Sequence, residues 1–212
     1  MKRNYTKRAY LDALQHKVMV FDGAMGTNLQ IQNLTAKHFG GERTMGCNDY
    51  LVISYPQAVE KVHRSFLEAG VDVIETCTFR ANRLTLKEYG LGERVVEINL
   101  AAARLARKCA DNFSTADHPR FVAGSIGPSG KLPSMNDPEL SDISVDELRA
   151  LFCEQACALI EGGVDLLIVE TSQDILEVKT TLLGIHEAFE KTGVYLPIQA
   201  QVTLDTTGRM LL

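Results

Sequence analysis

Asp22 is the first polar residue after the apolar run VMVF, and the residues that follow it, GAMGT, contain two glycines. Gly23 and Gly26 free the backbone to turn tightly, so the stretch up to Thr27 can present N–H groups to a carboxylate. A second carboxylate, Glu170, closes the run GVDLLIVE, while the hydroxyls Thr76 and Ser125 close two further apolar runs. Carboxylates would face an ammonium group and the N–H concavity a carboxylate, a combination suited to a small zwitterion such as an amino acid. Nucleotide binding is a weaker reading. The glycine turn lacks the Lys-Ser/Thr ending of a phosphate loop and the third glycine of a dinucleotide fingerprint.

These residues are useful together only if the fold brings strand ends to one place. Five short apolar runs of the buried, parallel kind are present, at Val18–Asp22, Val71–Thr76, Phe121–Ser125, Val164–Glu170 and Pro197–Thr203. Helical patterns alternate with them. Pro56–Ala69 begins on Pro and ends at Gly70, Glu93–Asp111 is alanine-rich, Val145–Glu161 opens with Ser144 and Glu147 in capping-box spacing, and Asp174–Lys191 stops before Thr192-Gly193. Strict alternation predicts parallel strands joined by right-handed crossovers, in a doubly wound sheet or a barrel. The connections after the first and third strands are long, whereas the second and fourth strands are entered by a single Gly-Val step. One end of the sheet is elaborate and the other trimmed, which favours a barrel whose functional loops follow the strand C-termini.

Two segments, GVDVIET and GVDLLIVET, repeat one pattern and place Glu75-Thr76 and Glu170-Thr171 at that functional rim. A complete (β/α)8 barrel of the TIM type has eight strands and about 250 residues. Five strands in 212 residues predict an α/β barrel truncated to about its first five β/α units, as one domain over residues 1–212. Its two unpaired sheet edges would be open to self-association with another chain.

Composition narrows the classes further. Lys+Arg 22 against Asp+Glu 27 gives a net charge of −5 with no long basic run, which argues against a nucleic-acid surface. The basic opening MKRNYTKRAY leads into LDALQHK and no apolar h-region, and no stretch approaches a membrane span. Cys47, Cys77, Cys109, Cys153 and Cys157 are odd in number and irregularly spaced, as expected of a reducing, cytoplasmic setting. Plainer roles compete at several positions. Asp22 before Gly is a common turn-former, Glu170 could cap the helix near Asp174, and Cys153 with Cys157 suits helix packing better than a metal. His63 and His186 fall on helices remote from the strand ends and receive no role.

Taken together, VFDGAMGTNLQ, ETCTFRAN, KEYGLGERVVEINLAAARLAR, VAGSIGPSG and VDLLIVETSQD resemble the homocysteine S-methyltransferase family, in the form that opens the cobalamin-dependent methionine synthases. The resemblance runs from about Gln15 to Leu212 with the motifs in order. It implies a β/α barrel that binds L-homocysteine, coordinates the sulfur to zinc, and methylates it to methionine. Methylcobalamin would supply the methyl group and methyltetrahydrofolate would recharge it, on modules of the parent chain outside these residues. Carried over residue by residue, it supports Asp22 and Glu170 as partners of the ammonium, with Gly23, Gly26, Thr27, Thr76 and Ser125 around the amino-acid end.

The chain departs from the family in two places. Thr76-Cys77-Thr78-Phe79 replaces the usual Thr-Asn-Thr-Phe, so Cys77 alters the contacts there. The family's zinc is held by three cysteines on later strands, which lie beyond Leu212. No metal ligand, catalytic residue or tightly bound cofactor is therefore expected here, and the fragment by itself is expected to be inactive. Two other readings stay open, a betaine- or S-methylmethionine-dependent homocysteine methyltransferase and a non-catalytic amino-acid binder.

Overall fold

A computed structural model describes residues 5–212. Its sheet has four strands, β1 (Val73–Glu75), β2 (Phe121–Ile126), β3 (Leu166–Ser172) and β4 (Ile198–Val202), in the order β1-β2-β3-β4. Every neighbouring pair is parallel. A doubly wound sheet reverses its strand order at a switch point, and this one does not. It is an arc of a (β/α)8-type barrel.

The expected first strand, Val18–Asp22, is reduced to one parallel bridge, Phe21 to Val73. Val20 O accepts from Asp72 N (2.8 Å) and Val73 N (3.1 Å), and Asp22 N donates to Val73 O (2.9 Å), so the segment still runs along β1. It has a neighbour on one side only. Val18 is 86% and Val20 54% exposed, which removes the packing that would regularise a longer ladder. At the opposite edge β4 is likewise half open, with Val202 exposed. Among the described residues both ends of the arc are unpaired edges, the geometry that invites association.

Helices α1 (Ala9–Leu14), α2 (Met25–Gln30), α3 (Leu51–Ser54), α4 (Pro56–Ala69), α5 (Arg83–Glu88), α6 (Val95–Phe113), α7 (Val145–Glu161) and α8 (Ile175–Thr192) complete the chain. Local chemistry sets several of their ends. Pro56 opens α4 and Gly70 closes it in the left-handed conformation, Ser144 and Glu147 form the anticipated capping box on α7, and Asp174 caps α8 by accepting from Leu176 N and Glu177 N. With Asp174 in that role, Glu170 is not needed as a helix cap.

Strand alternation then sorts the core into two layers. Ile74, Val122, Leu167 and Val169 pack outward against apolar residues of α6, α7 and α8 such as Ala106, Phe152, Leu159 and Ile185. Val73, Phe121, Ala123, Leu166 and Ile168 form the inner layer with Tyr10. Tyr10 stacks edge-on against Phe121, with ring centroids 5.7 Å apart, and donates its hydroxyl to Gln199 Oε1 at 3.2 Å. Thus α1 backs the inner face of the arc, and the inner positions at the strand C-termini remain free to line a site. Among the described residues no helix is long and apolar enough to cross a membrane.

Candidate functional site

The C-terminal ends of the strands surround a cavity of about 760 Å³. Asp22, Gly23, Gly26, Thr76, Ser125 and Glu170, all selected from the sequence, line it, and Thr27 does not: it is exposed on α2. One residue of consequence joins them. Glu75 lines the same cavity, although the sequence reading placed it at the rim without a binding role. The signal that could have found it is the repeat itself, since Glu75 occupies in GVDVIET the place that Glu170 occupies in GVDLLIVET.

Three carboxyl groups therefore converge with little to neutralise them. Asp22 Oδ1 accepts from Glu75 N at 3.0 Å, and Ser125 Oγ donates to Glu170 Oε1 at 2.5 Å. Burial pushes the Asp22 carboxyl up to about 7 against the pull of the Glu75 amide, and the charge of Glu170 adds to the rise. Glu75 is raised by burial, then by the charges of Glu170 and Asp22. Glu170 is raised by burial despite the Ser125 hydroxyl. Arg80 is the cation on the cavity wall, and its guanidinium is engaged by Glu88 at 3.0 Å. A pocket with this unbalanced negative charge is suited to receive a cation, and an ammonium group fits its hydrogen-bonding demand.

Hydroxyls and backbone hold the carboxylates in register. Thr76 Oγ1 accepts from Ser125 N at 2.9 Å and contacts Thr78 Oγ1 at 2.6 Å, and Thr78 donates to Ser125 O at 2.7 Å. Both threonines are buried, so this ladder clamps the ends of β1 and β2 together. Gly127 N donates to Phe79 O at 3.1 Å, and a Cβ at Gly127 would come within 2.4 Å of that oxygen. Only glycine permits the approach. Cys77 lies buried beside this ladder, its thiol donating to Asn48 O at 3.5 Å, and the adjacent Asp49 Oδ1 accepts from Arg80 N at 3.0 Å. The Cys77 departure thus ties the β1 end to the loop over residues 47–49, and does not add a free nucleophile.

An irregularity in β3 begins at Glu170. Val169 pairs with Ala200 and Ser172 with Val202, so two residues of β3 stand opposite the single Gln201. This is a β-bulge, and Thr171 within it has φ +61°. Glu170 keeps the inward orientation of Ile168, and the extra residue returns Ser172 to the helix-facing side, where it is buried. Bulges beside functional sites commonly serve to aim side chains in this way.

The thiols do not form a metal centre. All five cysteines are free, and among the described residues no group of three His, Cys, Asp or Glu side chains could hold a metal ion. Burial pushes Cys47 up to about 12, and Cys109 and Cys157 to about 11. Cys77 is raised by burial as well. This donor set does not fit zinc.

The sequential parallel arc, with an acid-lined cavity at its C-terminal rim, defines a barrel-type domain whose candidate site lies at the strand ends. Residues 19–212 match the family described as homocysteine S-methyltransferase, and the chain belongs to that family. Over 202 residues it is 40% identical to the methionine synthase of Mycobacterium tuberculosis (strain ATCC 25618 / H37Rv) and 39% to that of Mycobacterium leprae (strain TN). Each alignment covers 95% of this chain but 16% of the relative, so the chain spans about a sixth of their length. Among solved structures, the metallated form of the homocysteine methyltransferase MmuM from Escherichia coli superposes with a TM-score of 0.68 at 20% identity. That match covers 91% of this chain and 65% of MmuM, and it establishes likeness of fold.

Proposed function

We propose that this chain is the N-terminal portion of the homocysteine-binding domain of a cobalamin-dependent methionine synthase. Its cavity holds the amino-acid end of L-homocysteine, with Asp22 and Glu170 facing the ammonium group. Thr76, Ser125 and the turn at Gly23 and Gly26 surround the rest of that end. The observation that carries this reading is the cluster of partly buried carboxylates with, among the described residues, no free cation beside it, on the inner rim of a homocysteine S-methyltransferase arc. The identity of about 40% to two methionine synthases supports a methionine synthase as the parent protein.

In this reading zinc and cobalamin belong to the complete enzyme, where zinc would supply activation of the homocysteine thiol and cobalamin would supply the methyl group. The zinc ligands come from residues outside 1–212, and this portion alone is inactive. This chain contributes orientation: it fixes the amino-acid end so that the side-chain sulfur projects away from the carboxylates. The five free thiols fit a cytoplasmic setting. Assay of the complete protein with L-homocysteine and, separately, methylcobalamin, betaine and S-methylmethionine tests the proposal. Turnover with methylcobalamin alone is expected, and turnover that needs betaine or S-methylmethionine would overturn it.

A further inference from the structure

The carboxyl groups of the cluster are not equivalent. The Glu75 amide favours the ionised form of Asp22 and the Ser125 hydroxyl that of Glu170, against the burial that raises both. Among the described residues no donor reaches the Glu75 carboxyl group. It is partly buried on the cavity wall, and the two anions that face it come from the first strand segment and from β3. The other ionisable groups on the wall are Asp49, Arg80, Cys47, Cys77 and Tyr89. Asp49 is bound to the Arg80 amide, Arg80 is paired with Glu88, and burial keeps both thiols protonated, so none offers Glu75 a free positive charge. A carboxyl with buried surroundings, two like charges and no donor is held in its neutral form, and the upward shift at Glu75 agrees with this.

We propose that Glu75 is the proton-holding member of the cluster: it is a neutral carboxylic acid in the empty site and loses its proton to solvent when a ligand's ammonium group enters. The Glu75 O–H bond breaks heterolytically, the proton passes to buffer, and the carboxylate left behind becomes a third anionic face for the ammonium. Capture of the amino acid is thereby linked to proton release, and ligands without a cationic nitrogen leave the proton in place. Glu75 acts as a specificity determinant for α-amino acids. The inference rests on the reading of the cavity as the amino-acid subsite.

Isothermal titration of the protein with L-methionine and with L-homocysteine at pH 7, in phosphate, imidazole and Tris, tests it. Methionine's thioether has no exchangeable proton, so any proton released comes from the protein. The apparent binding enthalpy should vary linearly with buffer ionisation enthalpy, with a slope of at least about one proton released per ligand. Glu75→Gln should still titrate, with the slope reduced by about one proton per ligand; what remains belongs to Asp22, whose carboxyl lies at about 7. If that variant does not fold, as judged by circular dichroism, Glu75→Met has similar volume and carries the same expectation. Binding of either ligand to the unaltered protein with no buffer dependence would overturn the role of Glu75 while leaving the amino-acid subsite intact. A full slope retained in the variant would also overturn it, by assigning the proton to another group. Absence of binding by both ligands in every buffer would instead remove the amino-acid reading, and the inference with it.

Discussion

Each of the segments GVDVIET and GVDLLIVET puts an aspartate at the start of a strand and a glutamate at its end, and the two ends of the sheet treat those carboxylates in opposite ways. At the trimmed end, Asp72 binds Lys17 Nζ at 2.6 Å, His118 Nε2 at 2.8 Å and Val20 N at 2.9 Å. Asp165 repeats the device with Arg107 at 2.5 Å and Val122 N at 2.9 Å. In both cases the aspartate carboxylate takes an amide of the preceding strand while its own N–H donates to that residue's carbonyl, at 2.8 Å. At the elaborate end, Glu75 and Glu170 meet Asp22 with no free cation between them among the described residues. Burial works against ionisation at Asp72, yet its partners outweigh it and hold the carboxyl near 2. Burial at Asp22 wins, and the carboxyl rises to about 7. The same residue type stabilises the fold where its charge is matched, and creates a demand for a ligand where it is not.

The largest test of this contrast is loss of a matched carboxylate. Asp72→Ala removes three partners from a side chain that is almost fully buried, and leaves the Val20 amide without its carboxylate acceptor. A cost of about 3 kcal/mol is expected from urea unfolding. The same measurement on Glu75→Gln at pH 7 should show no loss and a gain on the order of 1 kcal/mol, because the fold no longer has to hold a proton that the unfolded chain has released. Equal losses at the two ends would mean that the rim cluster is also a structural device.

Next in size is the effect of the unmatched carboxylates on ligand. Asp22→Asn and Glu170→Gln should each weaken L-homocysteine binding by about tenfold to a hundredfold, since a charge-assisted hydrogen bond contributes roughly 1.5 to 3 kcal/mol. Calorimetry on the complete parent protein reads this directly. Unchanged affinity in both variants would return Asp22 to the role of a turn residue.

The pH dependence of stability should separate the ends with a smaller effect. Asp22 has its carboxyl raised from 3.8 to about 7, so the folded state binds a proton that the unfolded chain has already released. Its contribution is fully present below pH 3.8 and is lost as pH rises towards 7. Asp72, lowered from 3.8 to about 2, contributes stability above 3.8 that is lost as pH falls through 2. Asp22→Asn should flatten the decline between pH 4 and 7, by an amount on the order of 1 kcal/mol given partial solvent access. An identical decline in that variant would remove Asp22 as its source.

Much of this arrangement was legible in the sequence, and the parts that were not share a cause. Helix ends at Pro56, Gly70 and Ser144 depend on local chemistry, and apolar runs such as FVAGS depend on burial from both faces, so composition and spacing report them. The first strand frays because regularity at an edge depends on a missing neighbour. Asp22, Thr76, Ser125 and Glu170 could be placed in one cavity because strand ends in a barrel converge. Thr27 could not be excluded, since only the start of α2 turns it outward. Glu75 was passed over because its significance lies in what surrounds it: Asp72 three residues earlier carries the same charge, and nothing in GVDVIET says which of the two finds a cation.

The smallest test concerns the bulge that separates Glu170 from the rest of β3. Thr171 sits at φ +61°, a left-handed conformation that is costly for a β-branched residue, by roughly 1 to 2 kcal/mol. Glycine adopts that conformation without steric cost but gives the unfolded chain more freedom, at about 0.5 to 1 kcal/mol. Thr171→Gly should therefore gain about 0.5 kcal/mol in urea unfolding, whereas Thr171→Val, equally branched, should gain nothing. If the bulge also aims Glu170, the glycine variant should bind L-homocysteine slightly more weakly because the carboxylate is less firmly held. Greater stability with weaker binding would place Thr171 at the boundary between the two regimes, as backbone strain retained to orient an unmatched charge. A loss of stability in Thr171→Gly would show instead that contacts of the threonine side chain hold the bulge in place.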